Sequence, residues 1–263
     1  MLTYRRRFVV RGEEWFDARD DRRGVDVHEV FHVLEPLAGY RCVEFNTIEF
    51  DLSASEDALF AKLRPEARRQ IRRCAEGGEV VYERFFPCDG AQVGRFFAAY
   101  DDLASHKGLA PLDRELTTTY AKSGVLDLSL VRTSDGRELA WHANYRTLQR
   151  ARQLHSIAFF RDDKAERQMI GRAHRFQTWR DILAFKEAGI PIFDLGGWYH
   201  GKTDAELLKV NAFKEEFGGE IVRRYICERG LTLRGKVYVA LRNLKGEGMF
   251  NAVARGAAAP RTP

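Results

Sequence analysis

The spacing of apolar and polar positions divides this chain into four stretches. A strand-rich start is followed by helices, then a run of strands, then alternating helices and strands. Val25–Leu34 (VDVHEVFHVL) and Cys42–Leu52 (CVEFNTIEFDL) are rich in β-branched and aromatic residues with partial alternation. With the shorter Phe8-Val9-Val10 before them, they read as strands. Ser53-Ala-Ser-Glu56 has the form of a capping box. Leu59, Leu63, Ala67, Ile71 and Cys74 then recur at helical spacing and make one apolar stripe. Pro65 divides this run into a short helix and a longer one with proline in its first turn. Gly77-Gly78 end it, and Glu79–Phe86 reads as a strand.

Ala91–Leu103 and Asp113–Ser123 read as further helices. Leu126–Thr133 and Glu138–Arg146 flank the turn Ser134-Asp135-Gly136, which marks a hairpin. Gln153–Phe160 follows, so these strands form an antiparallel meander. Arg167–Gly189 reads as a loop that becomes helical from His174 and stops at Gly189. The apolar run Ile190–Leu195 is a buried strand, and Ala205–Phe217 is a helix. Glu220–Cys227 and Leu233–Leu241 are read as closing strands, and Asn251–Pro263 is an Ala/Gly/Pro-rich tail expected to be mobile. The order implies an α+β fold with a mixed, mostly antiparallel sheet flanked by helices. The expected organisation is N-terminal strands over 1–46 packed on a main domain over 47–245, with a tail over 246–263.

Composition narrows the picture. Hydrophobic residues make up 44% of the 263-residue chain and aromatics 12%, enough for a core and against global disorder. The 43 Lys and Arg exceed the 38 Asp and Glu by only five, so the charge permits an anionic partner without demanding one. Cys42, Cys74, Cys88 and Cys227 are scattered, with no C-x-x-C pair and no neighbouring histidines. The reading is free thiols in a reducing, cytoplasmic setting, with no metal. No window approaches the roughly 18 apolar residues of a membrane span.

Four groups of residues are candidates for chemistry. The helical run that Gly77-Gly78 end carries Arg64, Arg68, Arg69, Arg72 and Arg73 away from its apolar stripe, either as a solvated face or as an anion-binding one. Gln168-x-x-Gly171-x-Ala173, with Arg172 among its residues, stands between a strand and a helix. A loop there can aim main-chain N–H groups at a pyrophosphate, or it is an ordinary helix start. Phe193-Asp-Leu-Gly-Gly197 puts flexible backbone at the mouth of a buried strand. Asp194 is either a general base or the cap of the glycine turn. Trp198 and Tyr199 either stack a substrate ring or cover the end of the core. His142 and His155, on neighbouring strands, are the other candidate bases or else sheet histidines. Lys214 is a cation set between Phe213 and Phe217. No nucleophile elbow G-x-S-x-G occurs, which favours direct transfer over a covalent intermediate.

The Gln168–Ala173 segment, by its pattern and position, resembles the acyl-CoA loop of the GNAT acetyltransferase fold. Thr47–Ser53 with Arg68–Glu76 resembles the opening of a FemAB/FemX-type domain. Phe185–Gly197, Phe213-Lys214 and Phe217-Gly218-Gly219 resemble that family's C-terminal motif. The resemblance covers about residues 47–230. It implies the GNAT fold, as one copy where the family usually has two. The family moves an aminoacyl group from aminoacyl-tRNA to an amine of a peptidoglycan precursor. Short one-copy relatives resemble acyltransferases acting on sugars, amino acids or small metabolites. The implied activity is N-acyl transfer from acyl-CoA, slightly favoured, or from aminoacyl-tRNA to a small-molecule, sugar or peptide amine. A non-catalytic RNA-binding protein is the alternative. The lysine of the Phe-Lys pair, here Lys214, would steady the charge on the acyl oxygen.

Overall fold

The structure, a computed structural model, describes residues 1–17, 23–159 and 163–244. The tail over 246–263 lies outside these residues. Ten strands and seven helices are formed among them. The described residues fall into two compact units. The first gathers Met1–Ile48, Gly197–Leu207 and the residues from Ile221 on; the second gathers Glu49–Gly196 and Leu208–Glu220.

In the first unit the strands are β1 (Leu2–Arg6), β2 (Val9–Trp15), β3 (Val27–Val33), β4 (Arg41–Asp51) and β10 (Glu220–Gly230), in the order β1-β2-β3-β10-β4. β2 and β3 run parallel, while β1 with β2 and β10 with β3 are antiparallel. Leu233–Leu244 is not a strand but a helix, α7. Thr232 starts it by accepting the Gly235 N–H. Gly235 is required because a Cβ there would lie 1.9 Å from the Asp26 carbonyl oxygen. Tyr238 then packs on Val9 and Val27, so tertiary burial overrides the β-prone composition of KVYVAL.

The same unit corrects the reading of the cysteines. Cys42 of β4 and Cys227 of β10 are joined in a disulfide across a sequence separation of 185 residues. β4 and β10 are neighbours in the sheet, which brings the two thiols together. Free thiols remain at Cys74, buried, and Cys88, half-buried.

The second unit is built on strands β5 (Val80–Phe85), β6 (Leu126–Thr133), β7 (Glu138–Arg146), β8 (Arg150–Ala158) and β9 (Ile192–Trp198), in the order β9-β8-β7-β6-β5. β5 to β8 are antiparallel, and β8 with β9 is parallel. The helices are α1 (Glu56–Lys62), α2 (Pro65–Gly77), α3 (Gly90–Lys107), α4 (Arg114–Lys122), α5 (Lys164–Glu187) and α6 (Ala205–Glu215). Most of α6 belongs to this unit. The proline split between α1 and α2 falls where the sequence places it, with Ser55 rather than Ser53 capping α1. Side chains alternate across the sheet. α5 covers the face carrying Ser129 and His142, through Gln177 and Asp181. Tyr145 meets Tyr120 of α4 on the other face. Among the described residues no helix is long and apolar enough to cross a membrane.

Candidate functional site

The ladder between β8 and β9 is short. It joins Arg150 to Ile192, Ala151 to Phe193 and Arg152 to Asp194, and there it stops, although both strands continue. β8 carries a bulge at this point: Gln153 faces Asn144 and His155 faces Ala143, leaving Leu154 as the extra residue. The two parallel strands part here, and the polar side chains of the site gather beside them.

Asp194 is fully buried. One carboxylate oxygen accepts from the Arg152 guanidinium at 2.7 Å, and the other accepts the Gly196 N–H at 2.7 Å. It therefore shapes the glycine turn and faces Arg152. Gly196 has φ of +91°, and a Cβ on it would lie 3.4 Å from the Lys214 Nζ and 3.5 Å from the Gln153 carbonyl oxygen. The left-handed φ favours glycine here, and the ammonium packs directly against it. Lys214 comes from the last turn of α6 and is 9% exposed. Burial pulls its pKa down from the ordinary 10.5 to about 8; Arg152 adds to the fall, and Asp194 opposes it. The lysine is thus a cation near its titration point, in a place where water does little to screen it.

The helix end that carries Lys214 is fixed from several sides. Phe213 stacks on His174 of α5 with centroids 4.6 Å apart and 12° between planes, and meets Phe217 edge-on. Arg175 lies over Phe213 and holds Glu216 with two hydrogen bonds of 2.6 and 2.7 Å. Arg64, just before α2, pairs with Glu215. Gly218 packs so closely on the Lys62 backbone that a Cβ would be 2.5 Å from its carbonyl oxygen.

Other expected residues lie elsewhere. His142 is fully buried under α5; its Nδ1 is 2.6 Å from Asp181, which also accepts from the Tyr82 hydroxyl at 2.8 Å. Its Nε2 is buried without a hydrogen-bond partner. His155 faces the other side of the sheet, against Phe96 and Tyr100 of α3, and burial lowers its pKa to about 4. Trp198 ends β9 and Tyr199 follows it. Both belong to the first unit and are half-buried, and the Tyr199 hydroxyl is 3.5 Å from that of Thr203.

The loop expected at Gln168–Ala173 is a correction. α5 begins at Lys164, capped by Asp163, whose side chain accepts the Glu166 N–H. Gln168, Gly171, Arg172 and Ala173 are therefore inside a helix, where each N–H is engaged with the carbonyl four residues back and cannot cradle a phosphate. Gln168 is exposed, Arg172 points at Glu79, and Ala173 is buried with Val131, Leu139 and Ile170.

The arginine face is real as a surface. Arg68, Arg69, Arg72 and Arg73 line an open depression of about 690 Å³ with Pro65, Glu76 and Gly77. Arg69 pairs with Glu66, Arg68 donates to the Ala61 carbonyl, and Arg72 lies over Phe60.

Arg152, His174, Arg175 and Ser156 were not singled out by sequence reading. Arg152 is a register partner of Asp194, a relation no local pattern encodes. His174 sits four residues before Thr178, whose hydroxyl bonds its carbonyl, and its spacing to Ile170 was the one available hint of a continuous helix.

This architecture is shared with solved structures. FemX aligns at a TM-score of 0.57 and 12% identity, over 73% of this chain and 63% of FemX. The chain thus spans somewhat less than two thirds of FemX. The C-terminal domain of a putative lysylphosphatidylglycerol synthetase from Agrobacterium fabrum aligns at 0.50 and 15%, over 84% of this chain and 72% of that one. A conserved protein of unknown function from Bacteroides thetaiotaomicron aligns at 0.51 and 9%, over 76% and 70%. No family model and no curated protein sequence matches. The chain shares the fold of FemX.

Proposed function

We propose that this protein is an N-acyltransferase that moves an aminoacyl group directly from aminoacyl-tRNA to an amine, with Lys214 stabilising the charge on the acyl oxygen. The observation that carries this reading is Lys214 itself: a buried ammonium beside Gly196, where β8 and β9 separate. When an amine attacks an ester carbonyl, negative charge collects on the oxygen. A fixed cation in a poorly screened site stabilises that charge far better than water-exposed lysine does.

Two further observations support this donor. The segment expected to hold a CoA pyrophosphate is helix interior, which removes one of the two reasons for preferring acyl-CoA, the single copy of the domain being the other. The α2 depression offers Arg68 and Arg72 to a polyanion. Resemblance to FemX and to the C-terminal domain of a putative lysylphosphatidylglycerol synthetase supports the aminoacyl donor. The acceptor amine is of a small molecule, sugar or peptide.

The test combines labelled aminoacyl-tRNA with candidate amines and reads the products by mass, with acetyl-CoA as the competing donor. Lys214→Ala is expected to slow transfer by about 10²–10³. tRNA binding is expected to weaken steeply with salt, and Arg72→Ala to reduce that slope. Transfer from acetyl-CoA but not from tRNA would overturn the donor, and a fully active Lys214→Ala enzyme would overturn the site.

A further inference from the structure

The reaction needs somewhere for a proton to go. An attacking amine carries one more proton than the amide it becomes, and neither Asp194 nor His142 is placed to take it. Both oxygens of Asp194 are engaged with Arg152 and Gly196, and His142 is sealed under α5. A different pair is better placed. Ser156 is exposed on β8, four residues beyond Arg152, where pairing with β9 ends. Its Oγ is 2.7 Å from the Nε2 of His174.

His174 is held on all the sides the structure describes. Its ring is stacked on Phe213, the residue before Lys214, and meets the edge of His142 with centroids 5.0 Å apart. His142 is itself anchored by Asp181 and, through it, by Tyr82. These contacts orient the imidazole, and its Nε2 points at the exposed Ser156 hydroxyl. Burial, then the neighbouring His142 and Arg175, push its pKa well below 6.5, so the ring is neutral under ordinary conditions. A neutral imidazole has one nitrogen free to accept.

We propose that Ser156 and His174 form a hydroxyl–imidazole relay that takes the proton from the acceptor amine, a site that deepens the acyl-transfer reading and rests on it. In this arrangement the Ser156 hydroxyl donates to His174 Nε2 and turns its lone pairs toward the incoming N–H. The amine nitrogen bonds to the acyl carbon, and the carbonyl electrons move to the oxygen held by Lys214. The nitrogen of this adduct is far more acidic than a free ammonium, so a weak base suffices. Its proton passes to Ser156 Oγ as the serine proton passes to His174 Nε2. The carbonyl re-forms, the bond to the donor oxygen breaks, and the same hydroxyl returns a proton from His174 to the departing oxygen. Ser156 is regenerated with no covalent bond to it.

The test has two arms. ¹⁵N NMR of the histidine rings in the full chain reads the direction of the hydrogen bond. His174 Nε2 is expected to be unprotonated and to shift in Ser156→Ala; a proton on Nε2 overturns the relay. The second arm is single-turnover transfer from labelled aminoacyl-tRNA to glycinamide. Ser156→Ala and His174→Gln are each expected to lower the rate about a hundredfold, with donor affinity and melting temperature kept and Ser156→Thr restoring most of the rate. An active wild type with an equally active Ser156→Ala overturns the relay, as does a loss that tracks melting temperature and is not restored by threonine. A wild type silent with both aminoacyl-tRNA and acetyl-CoA overturns the transfer reading and with it the role of the pair, while the resonance still reports its geometry.

Discussion

In the first unit Glu29 is buried between two arginines; in the second Lys214 is buried between an arginine and an aspartate. Glu29 accepts from Arg11 at 2.8 Å and from Arg242 at 2.9 Å, and Arg242 reaches on to Glu228. Burial alone would raise the Glu29 carboxyl, but the two guanidinium groups hold it below the ordinary carboxylate value. The same contacts raise Arg11 and Arg242 against their own burial. Lys214 shows the reverse balance: burial wins, and its pKa falls. One region locks its charges and the other keeps a charge poised. The locked network keeps Glu29 charged, whereas burial brings Lys214 near its titration point.

The largest expected effect is on the locked side. Glu29→Gln leaves Arg11 and Arg242 facing each other without the shared carboxylate, and the first unit is expected to lose about 3–5 kcal/mol. Faster amide exchange in β2 and β3 would register it. An unchanged exchange rate would mean that the network is slack.

Lys214→Met should do the opposite. The folded lysine gives up its proton near pH 8 and the unfolded one near 10.5, so below about 8 both states are charged and the full burial cost is present. Between these values the unfolded state binds more protons, and wild-type stability rises with pH. The methionine variant is therefore expected to be more stable by about 3 kcal/mol at pH 7. That advantage should fade as pH climbs toward 10.5. Denaturant midpoints across this window give the answer. A destabilised variant at pH 7 would erase the contrast between the two regions.

The smallest effect sharpens the second region alone. Asp194 is the group that raises the Lys214 pKa. Asp194→Asn should move the alkaline loss of activity to lower pH, read from the pH profile of kcat/KM, without abolishing transfer.

Much of the fold was legible from residue patterns, for reasons that differ by element. β6 and β7 were found with their observed bounds because dense apolar strands flank an Asp-Gly turn. The break between α1 and α2 was readable because proline admits only a helix start there. The front half of α5 was not, since Gly171 and its polar neighbours look like a loop until Asp163 is recognised as the cap. α7 was hidden by its β-prone run of valines and tyrosine, and the burial of Tyr238 against Val9 and Val27 is supplied only by the fold. The disulfide depends on a strand order that no local pattern reveals. In the site, Lys214 and Asp194 were visible through a family resemblance. Arg152, Ser156 and His174 belong to it by register and by helix packing, which the sequence encodes only when all of its parts are placed together.

The order in which the chain is made gives the first unit a further property. β3 is synthesised early, yet its antiparallel partner β10 begins at Glu220. At ribosomal speeds of about 5–20 residues per second, that wait lasts roughly 10–40 seconds. Throughout it, one side of β3 offers unpaired backbone to any other nascent strand. The second unit has all its strands by Gly196 and can assemble in the meantime. Slow translation is therefore a hazard for the N-terminal strands.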